Sequence, residues 1–162
     1  MRIMVLSGVL TLSIAGMVMA GYTPGTGDQL LGAYFLIQKS LASDSVNGIA
    51  TSAAEIAKIS NQAAAKEPEV KTQLIALSTV AAKFNAADLK AARNSFGDLS
   101  DRLIAYLKAS HAKLNPPFQF FCSMAKKNWL QPDKSTRNPY YGSSMPTCGE
   151  LVRADAPAQG QR

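Results

Sequence analysis

The chain has 162 residues, 47% of them hydrophobic, and carries a formal net charge of +6 at pH 7. This length fits one domain that is large enough to bury a real core. The basic residues are scattered among alanines and form no block, so the charge does not indicate a nucleic-acid-binding protein.

The N-terminus has the features of a secretory signal peptide. Arg2 precedes an apolar run, residues 3–18, and a small-x-small signal-peptidase pattern ends at Ala20. We therefore predict that residues 1–20 are a cleaved signal peptide and that the protein is exported. The run is marginal for spanning a bilayer, so we expect no stable membrane insertion after cleavage. Residues 21–27 are predicted to be an N-terminal linker.

Four later stretches carry Leu, Ile, Val and Ala at spacings of three and four, which predicts amphipathic α-helices. Asp28 is expected to cap the first of them, and Asp44 or Ser45 the second. Gly97 within the fourth costs about 1 kcal/mol relative to Ala and indicates a kink or a close helix contact. The predicted helices cover residues 29–42, residues 46–65, a segment that begins at Pro68, and a segment that runs from Leu89 to before Pro116.

Four such helices joined by short turns predict an all-α fold, an antiparallel up-and-down four-helix bundle. The bundle domain is expected to cover residues 28–153. Its last part, residues 118–153, has phenylalanines that are too apolar for a free tail and several Pro and Gly residues that prevent a long helix. We expect this part to be an ordered loop packed on the bundle. Residues 154–162 are predicted to be a disordered tail.

Both cysteines of the chain lie in this loop, and each has a methionine close by. Cys122 is followed by Met124, and Cys148 is preceded by Met145. Such soft sulfur ligands suit Cu(I), which makes these four residues candidate metal ligands. His111, near the end of the fourth predicted helix, is a further candidate ligand, but a histidine there is more often solvated or caps the helix C-terminus. Two cysteines and a single histidine do not complete a closed zinc site.

A disulfide between Cys122 and Cys148 is the competing interpretation. In an oxidising compartment two cysteines pair by default, and a bridge of this loop length stabilises a fold by roughly 3 to 4 kcal/mol. A purely structural bridge does not require thioethers beside it. The residues alone leave both states of the cysteines open.

The aromatic residues of the loop also allow two interpretations. Trp129, Tyr140 and Tyr141 could shield a copper ion or stack on a ligand, but loop aromatics beside Pro and Gly more often anchor a loop to a core, and we favour anchoring. The segment from Asn138 to Gly142 is typical of a turn in which Asn bonds the local backbone and Gly takes a positive φ.

Enzymatic chemistry finds little support in the sequence. One histidine would have to serve every catalytic role, and no Gly-rich phosphate loop follows a strand. A Cys122–His111 nucleophile pair is the weakest of the alternatives. We therefore predict no catalytic residues and no enzyme activity.

The loop carries the pattern CxM…WL…NPYxG…MxxCG, which begins at Cys122 and ends at Gly149. With this pattern the chain resembles an uncharacterised bacterial periplasmic domain family, found alone or appended to periplasmic adaptor subunits of copper and silver efflux systems of the resistance-nodulation-division type. Ser123 and Pro146 depart from the family, which usually has Pro and a hydrophobic residue there. The helical part is also similar, at Tyr34, Leu41, Asp44, Arg93, Phe96, Leu99 and Ser100.

The resemblance implies a helical bundle with a sulfur-bearing loop in a heavy-metal context. Our first hypothesis is a non-enzymatic periplasmic protein that binds Cu(I), or Ag(I), through Cys122, Met124, Met145 and Cys148. Its expected partners are components of an efflux system or another periplasmic metal carrier. The alternative hypothesis is a disulfide-stabilised structural or protein-interaction module that presents Trp129 and Tyr140 to a partner.

Overall fold

The computed structural model describes residues 24–110 and 117–152. Within them the four predicted helices are confirmed, with ends a few residues from those expected. No helix in the described ranges is both long enough and apolar enough to cross a bilayer. The helices are α1 (Thr26–Ala42), α2 (Ile49–Ala64), α3 (Lys71–Ala82, preceded by a short 3₁₀ turn, Pro68–Val70) and α4 (Leu89–Ser110).

Several predictions made from the sequence fall outside these ranges. They are the signal peptide (1–20), the first part of the linker (21–23), the candidate ligand His111 and the tail (154–162). They stay predictions.

The predicted helix caps were wrong. Gly25 is the N-cap residue of α1, so Asp28 lies inside the first turn of that helix. Helix α2 follows Gly48, which has a φ of 74° and provides no side-chain cap. Asp44 and Ser45 lie before that point, and Asp44 instead forms an ion pair with α4.

The all-α prediction was also wrong, because the C-terminal segment (residues 117–152) forms an antiparallel sheet. Its three strands are β1 (Phe118–Cys122), β2 (Lys127–Gln131) and β3 (Glu150–Val152), in the order β2-β1-β3. The physical reason is that this segment has a buried face of its own. Phe120 pairs with Trp129 across β1 and β2, and their rings stack at 5.1 Å.

One hydrophobic core joins the helices to the sheet. Tyr34 of α1 stacks on Phe96 of α4 at 5.0 Å, and Phe96 contacts Tyr140 of the C-terminal segment at 5.7 Å. The buried Tyr34 hydroxyl lies 2.7 Å from the hydroxyl oxygen of Ser100 and accepts a 3.1 Å hydrogen bond from the Leu130 amide. The segment is therefore ordered and packed on the bundle, as expected, although it is not a loop throughout.

An ion pair between Arg93 of α4 and Asp44 ties three parts of the chain together. The Arg93 Nη2 donates to Asp44 Oδ1 at 2.5 Å, and its Nε donates to the Pro139 carbonyl at 3.1 Å. Asp44 Oδ2 also accepts the Ser143 amide at 2.9 Å. The hydrogen bonds from Ser143, followed by the contact with Arg93, lower the pKa of the Asp44 carboxyl to about 2.

Three glycines mark places where the C-terminal segment meets its neighbours closely. A Cβ on Gly142, whose φ is 54°, would overlap the Asp44 carboxylate, and one on Gly149 would overlap the Trp129 indole. A Cβ on Gly97 would lie 3.0 Å from the aliphatic chain of Lys127. The close contact that Gly97 indicated therefore exists, but its partner is a strand residue and not a helix.

We expect the substitution Gly142→Ala to destabilise the protein by about 2 kcal/mol or more. Alanine is disfavoured at positive φ, and its methyl group would displace the Asp44 carboxylate. The matched control is Gly32→Ala in α1, because Gly32 is exposed and a Cβ there would meet no atom of residues 24–110 or 117–152 within 4 Å. That change should stabilise by about 0.5 to 1 kcal/mol. Urea unfolding measures both, and equal midpoints for the two variants would contradict the structure.

Asp44 should also make the stability of the protein depend on acidic pH. Its pKa in the folded state lies below the ordinary value of 3.8, so its contribution is complete above about pH 4 and is lost as the pH falls towards 2. Compared with wild type, Asp44→Asn should have a smaller free energy of unfolding at neutral pH and a smaller decline on acidification. Urea unfolding at several pH values from 2 to 7 tests this. Glu55→Gln, at an exposed pair with Lys58, is the control and should follow wild type.

Candidate functional site

Cys122 is the last residue of β1, and its side chain is fully buried. A tight turn, residues 123–126, leads from it into β2 and contains Lys126 at a φ of 53°. The Cys122 sulfur accepts two hydrogen bonds, each of 3.4 Å, from the Ala125 amide and from the Asn138 side-chain amide. The sulfur is therefore held in a fixed position by protein donors.

Cys148 approaches Cys122 because β3 pairs with β1. Phe121 lies opposite Glu150 in this ladder, and continuing the register by one residue places Gly149 opposite Cys122. Cys148 is partly exposed, and its carbonyl accepts a 2.7 Å hydrogen bond from the Asn138 side-chain amide. The same nitrogen thus contacts both cysteine residues. The structure therefore brings together the two ends of residues 122–148, which we call the sulfur segment. Both cysteines are free thiols.

The two methionines are close to the cysteines in the sequence, and both lie at the surface. Met124 belongs to the turn after Cys122 and is 61% exposed. Met145 follows a 3₁₀ turn, is 38% exposed, and its carbonyl accepts the Cys148 amide at 3.3 Å. Neither thioether therefore fills a core gap, which is the ordinary role of methionine.

The donor chemistry of the segment fits a soft monovalent ion. Thiol and thioether sulfur select Cu(I) over harder ions. Such an ion would be held by four residues, Cys122, Cys148, Met124 and Met145. It would form coordinate bonds to their sulfur atoms. In the ranges 24–110 and 117–152, no three His, Cys, Asp or Glu side chains gather into a group that could hold a metal ion.

The loop aromatics anchor the segment to the core, as favoured from the sequence. Trp129 is fully buried and donates its indole N–H to Gln131 Oε1 at 3.0 Å. Tyr140 meets the Trp129 ring edge-on at 6.1 Å and donates its hydroxyl to the Asn128 carbonyl at 2.5 Å. Burial raises the pKa of the Tyr140 hydroxyl well above its ordinary value. Neither Trp129 nor Tyr140 is presented at the surface.

Sequence reasoning missed the wider role of Asn138. The local turn is confirmed, since Asn138 Oδ1 accepts the Tyr140 amide at 2.8 Å and Gly142 has a positive φ. The contacts of Asn138 with Cys122 and Cys148 span 16 and 10 residues. A buried amide beside a turn signal gives no indication of such partners until the strands are paired.

A cleft of about 700 Å³ lies beside this segment, between α4 and the turn that contains Ala125. The Lys127 ammonium bonds Asp98 at 3.1 Å and lies 3.6 Å from Asp101, and the Asp98 bond raises the pKa of Lys127. These pairs hold β2 against α4, so we assign the cleft no ligand. Its lining comprises Leu89, Lys90, Arg93, Asn94, Asp98, Ala125, Lys127, Tyr140 and Tyr141.

Fold and site together define a helical-bundle protein with a small C-terminal sheet that carries two thiols and two surface thioethers. The chain belongs to the family described as Protein of unknown function (DUF3347), whose model matches residues 30–115. The match covers the helices and ends before Cys122. Comparison with the curated proteins and with the solved structures gave no significant match.

The two thiols should differ in reactivity in the folded, reduced protein. Cys148 is partly exposed, whereas Cys122 is fully buried and reacts only when the segment opens. A bulky aromatic disulfide reagent should therefore modify the Cys122→Ser variant, which retains Cys148, roughly ten times faster than the Cys148→Ser variant. In urea the two rates should converge. Equal rates in the native state would contradict the burial of Cys122.

Proposed function

We propose that this chain is a non-enzymatic periplasmic protein that binds Cu(I), and by the same chemistry Ag(I), in metal efflux or resistance. The ligands are Cys122, Met124, Met145 and Cys148. The observation that carries the proposal is the pairing of β3 with β1, because it brings Cys148 to the end of the strand that holds Cys122. Ligands from separate parts of a sequence form a metal site only where the fold brings them together.

Two further features support a soft metal. Both methionine side chains are exposed, although large apolar side chains are usually buried. The sulfur pattern also resembles that of the periplasmic domains that accompany copper and silver efflux systems. Partners would then be efflux components or a periplasmic metal carrier that exchanges the ion by way of the surface thioethers.

A second candidate function uses the same convergence. If Cys122 and Cys148 were oxidised to a disulfide, the bridge would fasten β3 to β1, and the chain would be a structural or protein-interaction module. A partner could not dock on Trp129 or Tyr140 without unpacking the core, because both are buried. The thiol content of protein taken from the periplasm separates the candidates: free thiols revealed by a copper chelator favour the metal, and thiols revealed only by strong reductant favour the bridge.

The metal proposal predicts that reduced protein takes up one equivalent of Cu(I) under anaerobic conditions. Competition with a chromogenic Cu(I) chelator measures the affinity. Changing Cys122 and Cys148 to Ser together should abolish uptake, because two of the four proposed ligands and the only thiols are removed. Undiminished uptake by that double variant would refute the proposed site.

The methionines provide a finer test with matched controls. Met124→Leu and Met145→Leu keep the size and apolar character of exposed side chains, so stability should not change, while Cu(I) binding should weaken. The urea-unfolding midpoint, which should be the same in both variants and in wild type, serves as the reference. If both variants bind Cu(I) as wild type does, the thioethers are not ligands.

A further inference from the structure

Asn138 is a fully buried amide whose polar groups all bond to the protein. Its backbone N–H donates to the Pro146 carbonyl at 2.9 Å, and its carbonyl accepts the Gly142 amide at 3.0 Å. Its Oδ1 accepts the Tyr140 amide. These three bonds fix the turn that begins at Asn138. The remaining polar group is the side-chain amide nitrogen, Nδ2.

The Nδ2 group joins the two cysteine residues. It donates to the Cys122 sulfur at 3.4 Å and to the Cys148 carbonyl at 2.7 Å. A side-chain amide carries two N–H hydrogens, so both bonds form at once. The separation of the Cys122 sulfur from the Cys148 backbone is therefore limited by one planar group that is itself locked in place.

We propose that Asn138 is the positioning residue that holds the Cys122 sulfur beside the Cys148 backbone, so that both thiols can bind one thiophilic ligand when the segment opens. This deepens the proposed function, on which it rests for the identity of the natural ligand. Donors that hold ligand atoms before binding reduce the ordering that binding requires, and their loss commonly weakens affinity by about 10- to 100-fold.

A purely structural role in the turn is the competing explanation, and one variant separates the two. Asn138→Asp keeps the shape of the side chain and an oxygen for the Tyr140 amide, but it replaces the nitrogen that contacts both cysteine residues. Asn138→Ala removes both functions. Asn128→Ala is the matched control. Among the described residues, the Asn128 side chain bonds only Gln119, whose side-chain amide donates to it at 3.0 Å on the same sheet.

The probe is phenylarsine oxide added to the reduced, metal-free protein. Two thiols react with one arsenical: two As–S bonds form, and the oxide leaves as water with both thiol protons, without change of oxidation state. Wild type should bind one equivalent. Asn138→Asp and Asn138→Ala should bind at least about tenfold more weakly, and Asn128→Ala should bind as wild type does. Wild-type affinity in Asn138→Asp would overturn the proposal.

A double-mutant cycle tests the mechanism. If Asn138 acts by presenting Cys148 to Cys122, Asn138→Asp should have little further effect on the residual single-thiol binding of Cys148→Ser. An equal loss in both backgrounds indicates general loosening and overturns the proposal.

If the Asn138 variants fail to fold, nuclear magnetic resonance of wild type decides. The Asn138 side-chain amide hydrogens should resist exchange and shift when the arsenical binds, and unprotected hydrogens overturn the proposal.

The probe also keeps this inference separate from the proposed function. Arsenical binding that depends on Asn138, in a protein that takes up no Cu(I), would retain the two-thiol site and refute the copper proposal. If the protein takes up Cu(I), but the Asn138 variants bind Cu(I) and phenylarsine oxide as wild type does, the copper proposal is retained and the role of Asn138 is refuted.

Discussion

The structure depends on the ion pair of Arg93 with Asp44. Arg93 donates to the Asp44 carboxylate, to the Leu41 carbonyl at the end of α1, and to the Pro139 carbonyl of the C-terminal segment. A planar guanidinium can serve three acceptors because its donors point in fixed, different directions. Charge-assisted bonds of this kind are about twice as strong as neutral ones. Removing Arg93 would take one donor from each of these three acceptors and would weaken the attachment of the C-terminal segment to the bundle.

Helix α1 gives the sheet a second attachment through polar groups in the core. β2 is an edge strand, and an edge strand leaves backbone groups unpaired. The Tyr34 hydroxyl accepts one such amide, that of Leu130, and the Gln38 side chain donates to the Arg137 carbonyl at 2.8 Å. The edge can therefore lie against helices without the cost of orphaned donors. Because the ring of Tyr34 also stacks on Phe96, one side chain joins bundle packing to sheet position.

The helices could be predicted from the sequence because their signal is local, a spacing of three and four repeated over several turns. The strands could not, since β1 and β2 have only five residues each and β3 has three, within a stretch whose Pro and Gly content indicated a loop. The sulfur residues were identified as a group, but their convergence depends on a β1–β3 register set by residues about 30 positions apart. The positions Tyr34, Asp44, Arg93, Phe96 and Ser100 were noted as a pattern, and only the structure shows that they pair with one another.

Contacts within the protein keep the sulfur segment ordered. Trp129 and Phe120 give it a core, Asn138 satisfies its internal polar groups, and Arg93 fastens it to α4. Small metal-dependent domains lack such a core and fold only when the metal binds, so binding energy is consumed by folding. Here the scaffold is already built, and the binding energy of a ligand at Cys122 and Cys148 would go into the bonds to sulfur. Affinity and selectivity would then be set by the placement of the sulfur atoms, and the Asn138 amide holds one of them, the Cys122 sulfur, directly.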